Sequence, residues 1–249
     1  VAVAIGDKEI TMRAMFTLNL RRYPTGHPLH EELRELGFAD GGFIPPRFGF
    51  NRQQGRNDLT KLFNEANRLN RLCEPWVPFI IDYEKAYRWI RHGDPDEHGH
   101  SPPVTVEVAY DIIRTAANFM RQAFPQRLLA DWGRPAMWTH KVCDRLGGAF
   151  TCACPITNKK STWDDDRWMA VRGQEYDETL EWRMPICLWV TNYAWSPARV
   201  LTDEQWDKTL EFVLEREPDY IIYSGAGDTS YVKKRAAQLY SALAGAPEF

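Results

Sequence analysis

The chain has 249 residues and a formal charge of −3, from 31 Lys and Arg against 34 Asp and Glu, a near-neutral balance that carries no electrostatic footprint for nucleic acid. With 44% hydrophobic and 26% charged residues it can bury a full core under an ordinary solvated surface, which excludes the disordered, collagenous and coiled-coil classes. No apolar run approaches the ~18 residues of a membrane span.

Apolar runs alternate with amphipathic stretches along the chain. Met12–Leu20 reads as the first strand and His30–Leu36 as the first helix. Gly42–Phe50 follows as a proline-containing second strand. In Asp58–Leu72, Leu59, Leu62, Phe63, Ala66, Leu69 and Leu72 keep the i, i+3, i+4, i+7 spacing of one buried helix face, and Asp58 stands where an N-cap belongs. Val77–Tyr83 is the third strand and Val106–Ala123 the next helix. Arg127–Trp132, helix Met137–Leu146, strand Ala149–Ile156, helix Glu175–Trp182 and strand Pro185–Asn192 continue the pattern. Thr202 with Gln205 three residues on is a capping box opening the helix Thr202–Arg216. Strand Tyr220–Ser224 and helix Ser230–Leu243 complete the series.

Strands apolar throughout, alternating with helices over the whole length, predict a parallel sheet with helices outside. Seven units are visible. The expected architecture is α/β, a single (β/α)8-type barrel over residues 1–249 with the eighth strand irregular or missing. A doubly wound open sheet is the runner-up, but no GxGxxG or P-loop follows any strand. Five cysteines, Cys73, Cys143, Cys152, Cys154 and Cys187, are an odd count in a chain too large to need staples, and they read as buried thiols. The chain opens at Val1 with no charged-then-apolar leader, so it reads as a mature form or as a piece of a larger protein or assembly.

In a parallel barrel the chemistry gathers at the C-terminal strand ends. Those positions hold Asn19, Phe50 and Asn51, Asp82 with Tyr83 and Glu84, Asp131 and Trp132, Asn158, Asn192 and Tyr193, and Tyr223 with Ser224. Trp189 lies inside the sixth strand, on the side of Tyr193 if no bulge intervenes. Amides and acids suit the hydroxyls of a sugar and aromatic rings suit its pyranose face. Asn and Asp are also ordinary turn residues. The sharpest signal is Phe79-Ile80-Ile81-Asp82-Tyr83-Glu84. Side chains alternate along a strand, so Asp82 and Glu84 share a face, roughly 6.6 Å apart at ~3.3 Å per residue, while Tyr83 points the other way. Two acids that close at a partly desolvated mouth hold a proton near neutral pH, as a general acid must. The competing interpretation has both carboxylates capping a helix over Lys85–Arg91 or pairing with Arg88 and Arg91.

The run IIDYEKAYRW resembles the signature of the hyaluronidases, barrel glycosidases in which an apolar strand ends in Asp-aromatic-Glu. AYDIIRTAANFMRQAF followed by LLADWG is similar to that family's helix with a Phe-Met step leading to a strand ending in Trp-Gly. FTLNLRRYPTG and GGFIPPRFGFNRQQG stand where the family has its first two strands, so the likeness spans about half the chain. Bacteriophage-type lysozymes and chitinases resemble it at the acidic motif alone.

The resemblance implies Glu84 as general acid on the leaving oxygen. It implies Asp82 as the group that positions the substrate's acetamido, whose carbonyl oxygen is the nucleophile in substrate-assisted retaining catalysis. The substrate would be an N-acetylhexosamine-containing polysaccharide and the setting extracellular or cell-surface. The last strand lacks the family's Trp platform, leaving Tyr223 for that role, and the family's paired cysteines have no counterpart. A muramidase-like peptidoglycan hydrolase and a non-catalytic glycan-binding or structural barrel are the alternatives.

His92–His100 collects three His and three acids, but Gly and Pro leave the spacing undefined and it matches no zinc motif. It reads as a solvated loop, and no metal or cofactor is expected. Trp163–Trp168, an acidic run flanked by Trp, suits a substrate lid and a plain surface loop equally.

Overall fold

The computed structural model of the chain describes residues 3–5, 8–10, 13–18, 22–24, 26–51, 54–83, 86, 105–132, 146, 148–195 and 199–245. In chain order the strands are β1 Val3–Ile5, β2 Lys8–Ile10, β3 Arg13–Leu18, β4 Ala39–Asp40, β5 Gly42–Ile44, β6 Phe50–Asn51, β7 Arg56–Asn57, β8 Phe79–Ile81, β9 Leu129–Asp131, β10 Lys159–Lys160, β11 Cys187–Thr191, β12 Tyr193–Trp195, β13 Arg199–Val200 and β14 Tyr220–Gly225. The helices are α1 Pro28–Glu35, α2 Leu59–Leu72, α3 Val106–Ala123, α4 Asp165–Leu180, α5 Asp203–Arg216 and α6 Thr229–Ala244. They form two compact units, Val1–Gly41 with Ile156–Phe249, and Gly42–Pro155.

The first unit holds a sheet in the order β11-β14-β3-β4, parallel throughout. Alternate residues Phe16, Leu18, Leu188, Val190, Ile221 and Tyr223 face the helices, in one core with Leu29 and Leu33 of α1, Trp168 of α4, Trp206 and Val213 of α5, and Val232 and Leu239 of α6. On the other face Met15, Ile222, Trp189 and Ile156 stand in one register row, and all four are buried. Both faces are covered, which is why these strands read as unbroken apolar runs. Each such side chain contributes roughly 1.5–3 kcal/mol relative to exposure.

The second unit holds the parallel sheet β5-β8-β9 under α2 and α3. Gly42 lets β5 pass close to β8's approach, since a Cβ there would stand 2.3 Å from Pro78 O. Arg127 closes the end of α2: its guanidinium donates to the carbonyls of Asn70, Cys73, Glu74 and Val77 and lies over the Phe79 ring. One cation thus satisfies the open carbonyls of Asn70 in the last turn and of the C-cap Cys73, and ties them to the segment beyond the helix.

Among the described residues, pairing within these two sheets is parallel, as the alternation predicts. Antiparallel pairing is confined to β1–β2, β6–β7 and β12–β13. The helices α2, α3 and α5 follow their caps. Asp58 accepts from Lys61 N at 3.0 Å and Thr105 from Val108 N at 3.3 Å, and Thr202 and Gln205 form the reciprocal box, each cap worth about 1 kcal/mol.

Three expectations change. The predicted strand Gly42–Phe50 stops at Ile44, because Pro45 and Pro46 bring no N–H to a ladder; a 3₁₀ turn over Pro46–Phe48 and the β6–β7 hairpin follow. Helix α4 begins well before Glu175. Asp164 caps it through Arg167 N at 2.7 Å, with Asp165 and Asp166 in its first turn, where the helix dipole favours anions. The Trp163–Trp168 run is therefore a helix entrance rather than a lid or surface loop. Ala149–Ile156 is mostly irregular, with Ile156 bridging Trp189 and both Thr151 N and Cys152 N donating to Leu129 O. The predicted helix Met137–Leu146, apart from Leu146, lies outside the described residues, as does Cys143. Cys73, Cys152, Cys154 and Cys187 are buried free thiols.

Candidate active site

In the second unit, β8 ends with Asp82 N–H donating to Ile44 O at 3.2 Å on one side and Ile81 O accepting from Trp132 N–H at 2.8 Å on the other. Ile44, Ile81 and Asp131 share a register row, so Asp82 and Trp132 stand one step beyond it. Phe79 meets Phe124 edge-on, ring centroids 5.2 Å apart, which marks its face as the helix-packed one. Alternation then puts Ile81, Tyr83 and Asp131 on the helix side and Asp82 and Trp132 on the opposite face. Asp82 is half-buried.

Tyr83 is locked behind this end. Its ring packs on Phe50 with centroids 5.5 Å apart, and its phenol shares its proton between Asn57 Oδ1 at 2.8 Å and Gly49 O at 3.0 Å. Burial pushes the Tyr83 phenol far above its ordinary pKa, with Asp131's charge adding to the rise. Asn57 is held in turn by its Nδ2 donating to Ile112 O at 2.7 Å. Glu84, at the other arm of the motif, lies outside the described residues, as do the segment Lys85–Arg91 (Ala86 apart) and the His92–His100 run.

Asp131 departs from its expected role as a sugar ligand. It is 1% exposed, it stands on the helix side, and its Oδ1 accepts from Tyr83 N–H at 3.3 Å. Cys154 sits near it; burial, then the charges of Cys152 and Asp131, hold that thiol well above its ordinary pKa. Asn51 turns inward on its own hairpin, donating to Gln54 Oε1 and accepting from Gln54 N–H.

In the first unit, the row above Met15, Ile222 and Trp189 on the face away from the helices is Thr17, Ser224 and Thr191. Tyr193 is hydrogen-bonded to Ser224, and burial raises its phenol's pKa. Asn158 is 4% exposed. Its backbone oxygen is clamped by Arg172 Nε at 2.8 Å and Nη2 at 2.5 Å, and its side-chain Oδ1 has no hydrogen-bond partner among the described residues. Tyr193 and Ser224 are strand-end residues legible in the sequence, whereas Thr17 and Thr191, which complete the row, are not. Their signal is positional, a hydroxyl two residues past a buried apolar one at the end of each strand.

Tyr223 and Asn192 also depart from expectation. Tyr223 lies on the helix side, fully buried against Phe38 and Trp206. Its hydroxyl donates to Val232 O at 2.9 Å and accepts from Asn192 Nδ2 at 3.0 Å. It offers no platform. Asn192 Oδ1 accepts from Ala226 N–H at 2.7 Å, so this amide pins the loop after β14 rather than meeting solvent. Trp189 is enclosed in the apolar row below Thr191, and a bend at residue 192 separates it from Tyr193. Asn19 lies outside the described residues. Among the described residues no group of three or more His, Cys, Asp and Glu side chains is arranged to hold a metal ion, and no helix is long and apolar enough to cross a membrane.

No protein-family model matches the sequence, and no curated protein matches it. Solved structures do match. Bee venom hyaluronidase superposes at a TM-score of 0.60 with 11% identity, covering 94% of this chain and 99% of the other. The same enzyme in complex with a hyaluronic acid tetramer gives 0.57 at 11% identity, over 91% and 94%. A mutant chitinase domain from Pyrococcus furiosus, complexed with chito-oligosaccharides, gives 0.50 at 10% identity, over 97% of each chain. These neighbours are glycoside hydrolases, and the likeness supports an α/β-barrel fold for this chain.

Proposed function

We propose that the protein is a glycoside hydrolase acting on an N-acetylhexosamine-containing polysaccharide, with residues 1–249 forming one barrel domain. The observation that carries this is the end of β8. An Asp-Tyr-Glu run terminates a parallel strand with Tyr83 fixed on the helix side, so Asp82 is turned to the opposite face beside Trp132, in a fold like that of an enzyme solved with a hyaluronic acid tetramer.

In this mechanism Glu84 donates its proton to the glycosidic oxygen as the bond to the anomeric carbon breaks. The substrate's own acetamido oxygen attacks that carbon, so no nucleophilic carboxylate is required. Asp82 hydrogen-bonds the acetamido N–H and holds its carbonyl in line. Glu84, now ionised, takes a proton from the water that opens the cyclic intermediate. Trp132, which stands beside Asp82 one step past the Asp131 register row, is the group we assign to sugar contact.

The test is turnover of hyaluronan, chondroitin, chitin and peptidoglycan fragments by wild type and by Asp82→Asn. Cleavage of an acetylated polymer is expected, with Asp82→Asn lowering kcat more than it raises KM, because orientation is lost in the reacting state. Cleavage of peptidoglycan alone would favour the muramidase, and binding without cleavage the non-catalytic barrel.

A further inference from the structure

The hydrogen-bond pattern behind β8 gives a role to a buried carboxylate that the glycosidase mechanism leaves unused. Along the β8–β9 ladder Phe79 N–H donates to Leu128 O, and the parallel pattern advances two residues at a time. At Tyr83 the acceptor changes. The N–H meets the side-chain Oδ1 of Asp131 at 3.3 Å, a carboxylate that is 1% exposed. Burying a carboxylate is costly, and a plain strand would close the same bond with a main-chain carbonyl. The side-chain acceptor does something a carbonyl does not. It holds the amide of residue 83 at the point where the ladder of main-chain bonds ends.

The same residue is gripped at its other end. Tyr83's phenol is anchored on Asn57 and Gly49, and Asn57 on Ile112 of α3. Main chain and ring tip of Tyr83 are thus fixed from two directions, and Asp82 is the next residue along a rigid backbone. We propose that Asp131 and Tyr83 are positioning residues which together fix the Asp82 carboxylate on the face away from the helices. This rests on the assignment of Asp82 given above. Neither residue touches substrate; both act through the geometry of residue 82, where a displacement near 1 Å can cost about 10²-fold in rate.

The experiment compares Asp131→Leu, Asp131→Asn and Tyr83→Phe with wild type in kcat, KM and hydrogen exchange at the Tyr83 amide. Asp131→Leu removes the acceptor and is expected to lower kcat by about 10–10²-fold with KM unchanged, and to abolish protection of the Tyr83 amide. Asp131→Asn keeps an acceptor oxygen and is expected to restore both. Tyr83→Phe keeps the ring, loses the anchor and should lower kcat less than Asp131→Leu, again at constant KM. The proposal is overturned if Asp131→Leu loses only thermal stability at wild-type kcat, if Asp131→Asn fails to rescue, or if the Tyr83 amide stays protected without the carboxylate. Should wild type cleave no glycan, the glycosidase assignment fails on its own. Where Asp131→Leu does not fold, Asp131→Ala, which also lacks the acceptor but adds no bulk, takes its place, and loss or retention of Tyr83 amide protection in it decides whether Asp131 holds that amide.

Discussion

Glu84→Gln is expected to abolish glycan hydrolysis while the thermal unfolding midpoint stays at the wild-type value. The amide has the shape of the acid but no proton to place on the departing oxygen, and general-acid help is typically worth ~10²–10⁴ in rate. Asp82→Asn should fall short of that loss, since it weakens the hold on the acetamido group without removing the proton donor. Substrates carrying a free amine in place of the acetamide should fail with wild type, because they lack the internal nucleophile. The measurement is single-turnover cleavage of defined oligosaccharides by all three proteins. Wild-type rates in Glu84→Gln would refute the assignment of the acid and make the non-catalytic barrel the leading interpretation.

Tyr223→Ala should produce the largest stability loss of any strand-end aromatic, about 3–5 kcal/mol as for a buried Phe truncated to Ala. The ring fills the space between Phe38 and Trp206, and its hydroxyl joins Asn192 to Val232. Tyr223→Phe keeps the packing but leaves the Asn192 amide and the Val232 carbonyl without this partner, at a cost of about 1–3 kcal/mol. Denaturant unfolding of both variants distinguishes this from a sugar platform. A platform residue would instead leave the midpoint unchanged and raise KM.

The contrast between Tyr223 and Asp82 shows which part of the site could be read from sequence. The positions at the ends of β8 and β14 are found by the same rule, an apolar run followed by polar residues. What that rule lacks is the parity of the strand, and parity decides whether a side chain meets helices or the opposite face. For Asp82 the neighbouring Tyr83 settles it, because a large ring next to a carboxylate takes the covered side. For Asp131 the same rule misleads, because its neighbour Trp132 carries the large ring and yet stands on the face opposite the helices, and for Tyr223 both neighbours are small or apolar enough to be buried either way. Helices fared better where a cap and a periodic face agree, as in α2, α3 and α5. In α4 the apolar periodicity is weak, and the entrance Asp164–Asp166 reads as a loop until the acids are seen as complements to a helix N-terminus.

The buried thiols give the molecule a set of internal clocks. Cys187 opens β11 in the first unit, while Cys73 closes α2 and Cys152 and Cys154 follow β9 in the second. A thiol reacts as its thiolate and only when reagent reaches it, and Cys154 is further protected by its raised pKa. Alkylation therefore has to wait for an opening event, and its rate under mild denaturant measures how often that event occurs. Peptide-resolved labelling would time Cys187 against the other three within a single sample. Matching rates at every denaturant concentration mean that the two units open as one cooperative body, and diverging rates give each unit its own opening free energy.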